Sequence, residues 1–242
     1  MLVRDDGVCI GQAAHAWVSG QLAAAWAPDD VPHRQDAILA ATQHDIGMAE
    51  WDLQPAVDAE RGLPVSFMRM DLATHLRLWR AAPAKVLTQS RIAALMLSLH
   101  GTSLYSRRDL ARLSEADADA VRSYLADARA FQVWLGADTG VTDDEMRRLQ
   151  ALLFAWDWLS LALCLEWAPD TLTDGPIGLA LSRDLTLDPW PFGPAETVTV
   201  GCEGRRVTDR AATTATELRA ALEAGERVTL SWTLTRAPSG AP

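Results

Sequence analysis

The chain has 242 residues, 49% hydrophobic and 22% charged, enough for one large domain with a sizeable buried core. A net charge of -10 argues against a nucleic-acid backbone or an anionic membrane as partner, and leaves room for a small anionic substrate held locally by metal and arginine. Cys9, Cys164 and Cys202 are far apart and form no CxxC, which argues against a disulfide framework or cysteine zinc site and fits a reducing cytoplasm.

The opening MLVRDDGVCIGQAAH lacks a signal-peptide apolar core, and residues 1–10 read as a short strand or extended arm. Ala13–Trp26 predicts a helix, with Trp17, Leu22 and Trp26 among its apolar positions. Pro32 suits the first turn of a second helix, His33 to about His44, which Gly47 then punctuates. Residues 52–72 carry Pro55, Gly62 and Pro64 and read as irregular. Helices follow around Leu72–Trp79 and, after Pro83, from about Thr88 to Tyr105. Residues 107–135 read as helical, with Arg108, Asp109, Arg112, Glu115 and Asp119 on a solvated face. Thr142 and Glu145 form a capping box that opens a helix running to about Trp167. Its near-apolar run, Leu149–Trp167, is interrupted by Asp157 and Glu166, so it reads as a buried core helix rather than a membrane span. Beyond it, Thr197–Val200 and Arg227–Leu234 read as strands, with a short helix near Thr216–Ala224 between them. The expected architecture is a mainly α helical bundle over residues 1–184. A small α+β strand–helix–strand appendage, residues 185–242, packs on it.

The chemistry-bearing residues stand out within these helices. Asp157 lies in LFAWDWLSLALCLEW, where an ionised carboxylate costs several kcal/mol unless it is paired or metal-bound. Its neighbours one turn away, Leu153, Phe154, Ser160 and Leu161, offer no ion pair, so its partner must come from elsewhere in the fold. Asp157 alone fits a ligand or a structural carboxylate equally well. The pair His44-Asp45, taken alone, reads as a helix C-terminal cap followed by a turn. His15 sits among Ala13, Ala14 and Ala16, which leave room for a site, and His100 ends the apolar run AALMLSLH. His33, in a helix's first turn, reads as solvated. Trp156, Trp158 and Trp167 read as core or interface residues.

Taken together, the order His15, His44-Asp45, Asp157 resembles the signature of the HD superfamily, and HDIGM (44–48) resembles its HDIGK segment with Met48 in place of Lys. Gln12–His15, His44–Asp52, Ser98–Tyr105, Asp157–Cys164 and the PWPF of residues 190–193 further resemble an uncharacterised bacterial family of HD-like proteins over nearly the whole chain. The resemblance implies an HD-domain-like helical bundle with metal on His15, His44, Asp45 and Asp157, and with His44 and Asp45 at the catalytic centre. His75 and His100 are the residues available for a second ion, with Asp45 bridging, as in the dinuclear subgroup of that superfamily. Such ligands suit Fe, Mn, Zn or Ni better than Mg or Ca, as one ion or two.

Three activities follow as expectations. The first is metal-dependent phosphohydrolysis or phosphodiester hydrolysis of a small phosphate ester or nucleotide, with Arg107, Arg108 and Arg80 as candidate anion contacts. The alternatives are an HD-type di-iron oxygenase and a non-catalytic metal-binding regulatory module. Glu50 and Asp52 are candidates to orient His44, or to cap the chain around Trp51. The partner expected is a small anionic molecule, without nucleic acid or membrane, and a homodimer is left open.

Overall fold

The structure is a computed structural model that describes residues 1–167, 171–172, 175–208 and 210–238. It opens with an antiparallel hairpin, β1 (Leu2–Val3) and β2 (Val8–Ile10). Helices α1 (Gln12–Ala25), α2 (Arg34–Gln43) and α3 (Ala49–Leu53) follow. A two-stranded ladder, β3 (Val57–Asp58) with β4 (Leu63–Pro64), and a 3-10 turn at Phe67–Arg69 occupy the stretch expected to be irregular.

Helix α4 (Leu72–Val86) begins at Asp71, whose side chain accepts from the Thr74 N–H at 2.8 Å. It runs through Pro83, where the sequence suggested a break. Pro83 falls in the last turn and is buried, so packing offsets the one backbone bond it forfeits. Helix α5 (Arg91–Ser106) is capped by Ser90. The helix expected over 107–135 starts later, as α6 (Glu115–Thr139). Asp109 and Ser114 each turn a side-chain oxygen onto the backbone N–H groups that follow, so residues 107–114 form a loop with a 3-10 turn. Gly140, at φ 66°, ends α6 in the left-handed conformation. Thr142 and Glu145 form the expected capping box at the start of α7 (Asp143–Leu165).

The remaining elements are β5 (Thr171–Leu172), β6 (Ala180–Ser182), β7 (Thr186–Asp188), β8 (Thr197–Arg206), α8 (Ala215–Ala224) and β9 (Glu226–Arg236). The fold is mainly helical, and β8–α8–β9 is the expected strand–helix–strand unit. That unit is one part of a larger sheet, whose order is β1-β2-β8-β9-β7-β6-β5. Val8 and Cys9 of the N-terminal arm pair with Arg206 and Arg205 of β8, so the sheet draws on both ends of the chain. The short N-terminal strands carried no signal for such distant pairing, because a partner nearly two hundred residues away leaves no local periodicity.

One face of this sheet packs on α1, and α1 packs in turn on α2 and α7. Among the described residues, α7 is the one helix long and apolar enough to cross a membrane. Here Leu149, Leu153, Trp156 and Leu159 are fully buried in the main core with residues of α1, α2 and α5. The metal-type residues converge where these four helices meet.

Candidate metal centre

His15 lies one turn into α1, whose start is fixed from outside the helix. The Asp52 carboxylate accepts the Gln12 backbone N–H and lies 2.7 Å from the Met1 amine. Asp52 thus aligns the helix that carries His15, and does not contact His44. Glu50 instead pairs with Lys85 at 2.9 Å on the surface. Further along α1, Gly20 lets α2 approach so closely that any Cβ there would collide with Thr42. This approach brings His15 and His44 together.

His44 follows the last residue of α2, and Asp45 (φ -99°, ψ 17°) turns the chain into the Ile46–Met48 turn. Gly47 permits the turn to lie against α4, since a Cβ at Gly47 would meet the Leu78 carbonyl oxygen at 2.5 Å. Asp157 comes from the middle of α7 and His100 from α5.

The hydrogen bonds behind the two imidazoles determine which nitrogen faces the centre. His44 Nδ1 lies 2.8 Å from the Ala41 carbonyl oxygen, which can only accept, so Nδ1 carries the proton. His15 Nδ1 lies 2.7 Å from Ser160 Oγ. Ser160 spends its own proton on the Asp157 carbonyl at 2.8 Å, so its oxygen accepts from His15 Nδ1–H. In neutral rings both Nε2 atoms are then bare lone pairs, and they face each other at 3.1 Å. Asp157 Oδ1 is 3.3 Å from His44 Nε2 and 3.5 Å from His15 Nε2. Asp45 Oδ2 is 2.9 Å from His15 Nε2 and 3.7 Å from His44 Nε2.

Acceptors gathered in a buried space without a donor repel one another unless a cation sits among them. His15, His44 and Asp157 offer ligand atoms that all lie within 4.8 Å of one another, and this group could hold a metal ion. The donor set of imidazole nitrogens and carboxylate oxygens fits a transition ion.

Protons respond to the same field. Burial by itself would lower the His44 pKa, yet Asp45 and Asp157 raise it to about 9. Burial would raise Asp45 and Asp157, yet the surrounding histidines hold both below the ordinary carboxylate value. The cluster therefore retains one positive charge even when that charge is only a proton.

His100 joins the group through Nε2, 3.5 Å from Asp157 Oδ2. Its ring is 2% exposed and burial lowers its pKa to about 4, so it is neutral. His75 lines the same cavity as Asp45, His100 and Asp157. Both its nitrogens are engaged elsewhere: Trp79 Nε1 donates to Nε2 at 2.8 Å, and Nδ1 meets the Tyr105 hydroxyl. The Trp79 ring touches both His75 and His100. Arg108 also lines the cavity, with its guanidinium 5.2 Å from the Tyr105 ring centroid. Arg107 is exposed outside the cavity lining, and Arg80 pairs with Asp127 at 3.1 Å. His33 is partly exposed beside Glu145.

Ser160, Ser19, Trp79 and Tyr105 complete the arrangement and were not singled out in the sequence. Ser19 Oγ lies 2.8 Å from Ser160 Oγ, and both serines are fully buried. Their signal is faint: a hydroxyl one helical turn from His15, and another one turn from Asp157, each in an apolar run.

A cavity of about 350 Å³ opens onto the cluster. Gln12 Oε1 and His100 Nδ1 are buried there without a hydrogen-bond partner among the described residues. No curated protein matches the chain. No solved structure matches it either. A family model described as "Protein of unknown function (DUF3891)" matches residues 1–209. That span includes every residue of the cluster and most of the chain, so the chain belongs to the DUF3891 family.

Proposed function

We propose that the protein is a metal-dependent phosphohydrolase of the HD type acting on a small phosphate ester. In this reading one divalent transition ion (Fe, Mn, Zn or Ni) is bound by His15, His44, Asp45 and Asp157. The observation that carries the reading is the 3.1 Å approach of the His15 and His44 Nε2 atoms beside the carboxylates of Asp45 and Asp157. A bound ion of this kind lowers the pKa of a water and polarises a phosphoryl oxygen. The protein's own residues do the rest. Ser160 and the Ala41 carbonyl orient the two imidazoles, Asp52 holds the start of α1, and Arg108 offers a cation at the cavity's edge.

One ion is favoured over two because His75 would have to surrender Trp79 or Tyr105 to become a ligand. The reducing cytoplasm suits three cysteines that are all buried and free.

The test is metal content by mass spectrometry, with hydrolysis of p-nitrophenyl phosphate, on wild type and on Asp45→Ala and Asp157→Ala. One Mn, Fe, Zn or Ni per chain, lost with turnover in both variants, is the expected result. No transition metal after reconstitution would overturn the reading. Two irons per chain would replace it with the di-iron oxygenase, and tight metal binding without turnover of any ester would replace it with a regulatory module.

A further inference from the structure

The cavity above the cluster is chemically two-faced. Its floor is His15, Asp45, His100 and Asp157, while Met48, Phe67, Met68, Met70, Leu104 and Leu161 supply apolar walls. Among the described lining residues Arg108 is the one cation of fixed charge. Nearby arginines are already engaged, Arg77 with Glu50 and Arg80 with Asp127.

Charge balance limits what can bind. Two carboxylates cancel a divalent ion, so the cation left over for a ligand is Arg108, in a protein of net charge -10. One phosphoryl group can be matched there, whereas a di- or triphosphate chain would meet no further Arg or Lys among the described lining residues. Volume limits it again: about 350 Å³ lies near the small end of ligand sites, which run from about 300 to 1,000 Å³. Gln12 Oε1, on a residue 2% exposed, is an acceptor left for a P–OH or hydroxyl donor. The three methionines give a deformable, polarisable wall that suits a flat or branched apolar body rather than a sugar rich in hydroxyls.

Resting on the phosphohydrolase reading, we propose that the substrate is a compact phosphomonoester with an apolar, ring-sized body. Its phosphoryl group lies between the metal cluster and Arg108, and its body lies against Phe67, Met68, Met70 and Leu104. Nucleoside polyphosphates and cyclic dinucleotides are excluded by charge and by size.

The experiment uses metal-loaded full-length protein, with metal content measured on every sample. Binding of phenylphosphonate, methylphosphonate and ADP is followed by titration calorimetry. Phenylphosphonate should bind about tenfold more tightly than methylphosphonate, the margin expected from burying an aromatic ring. ADP should bind no more tightly than methylphosphonate. Arg108→Gln should weaken both phosphonates by about tenfold with metal content unchanged, as loss of a charge-assisted contact requires. The double variant Met68→Gln/Leu104→Gln, at two exposed positions that do not stabilise the core, should bring the two phosphonates within about twofold of each other. Equal binding of the two phosphonates by metal-loaded wild type, or tighter binding of ADP, would overturn this proposal and leave the phosphohydrolase reading standing. A wild-type protein that takes up no metal would overturn both.

Discussion

Ser160 Oγ stands 2.7 Å from His15 Nδ1 and gives its own proton to the Asp157 carbonyl one turn back. One hydroxyl thus fixes the tautomer of one proposed ligand while sitting on the helix that carries another. Ser160→Ala should leave the His15 N–H buried without an acceptor and free the ring to turn. The expected result is a metal affinity reduced by about 10–100-fold, with the fold retained, read by competition with a chromogenic chelator. Unchanged affinity would remove Ser160 from the positioning of His15.

His75 separates a one-ion from a two-ion centre. His75→Phe should retain full metal stoichiometry, because both ring nitrogens are committed to Trp79 and Tyr105. The loss should appear in stability instead, at about 1–3 kcal/mol for the Trp79 N–H left unpaired, measured by urea unfolding. A fall in bound metal at equal stability would make His75 a ligand.

Gly47 is where the His44-Asp45 turn meets α4. Gly47→Ala would press a methyl group onto the Leu78 carbonyl and against Ala82 Cβ. A cost of about 1–3 kcal/mol is expected from such overpacking. Metal binding should weaken in parallel, because the displaced segment carries His44 and Asp45, two of the proposed ligands. Calorimetric melting with and without metal reads both effects.

The pH dependence of the metal-free protein follows from the same cluster. His44 has a folded pKa of about 9, above its ordinary 6.5. Its contribution is therefore fully present below 6.5 and is lost as pH rises through about 9. His100 has the opposite sign: burial lowers it to about 4, so the unfolded chain takes up the proton first and stability falls as pH drops from 6.5 toward 4. Asp45 and Asp157, held below their ordinary value, add a loss at still lower pH within the same coupled network. Chelator-treated protein should be most stable near the ordinary histidine pKa of 6.5 and weaken on either side. A bound ion replaces the His44 proton, so it should flatten the alkaline limb of a urea-midpoint profile. An alkaline limb identical with and without metal would count against the ion's place in the cluster.

Much of this was readable from residue types. Asp157 in an apolar helix demanded a distant partner, and it found His15, His44 and His100. Thr142 and Glu145 announced the start of α7 through chemistry confined to four residues. Arg107 and Arg108 could not be told apart in sequence, because which of two adjacent side chains faces a cavity depends on the turn that follows α5. The extent of the sheet was also hidden, since β2 acquires its partner only through β8. Asp52 read as a possible support for His44. Its real partner, the Gln12 N–H, lies forty positions away in the chain.

The sheet carries a consequence for the order of events in synthesis. His15 follows β2 by a few residues, and β2 rests on β8, near the other end of the polypeptide. Asp157 arrives more than a hundred residues after His15. A chain still emerging from the ribosome therefore has scattered imidazoles and no receptacle for an ion. Contacts of such long range form late, after the loop entropy between them has been overcome. On the proposed reading, acquisition of the metal would then be a terminal step of maturation, and the seated ion would act as a clasp across a loop that spans most of the helical layer.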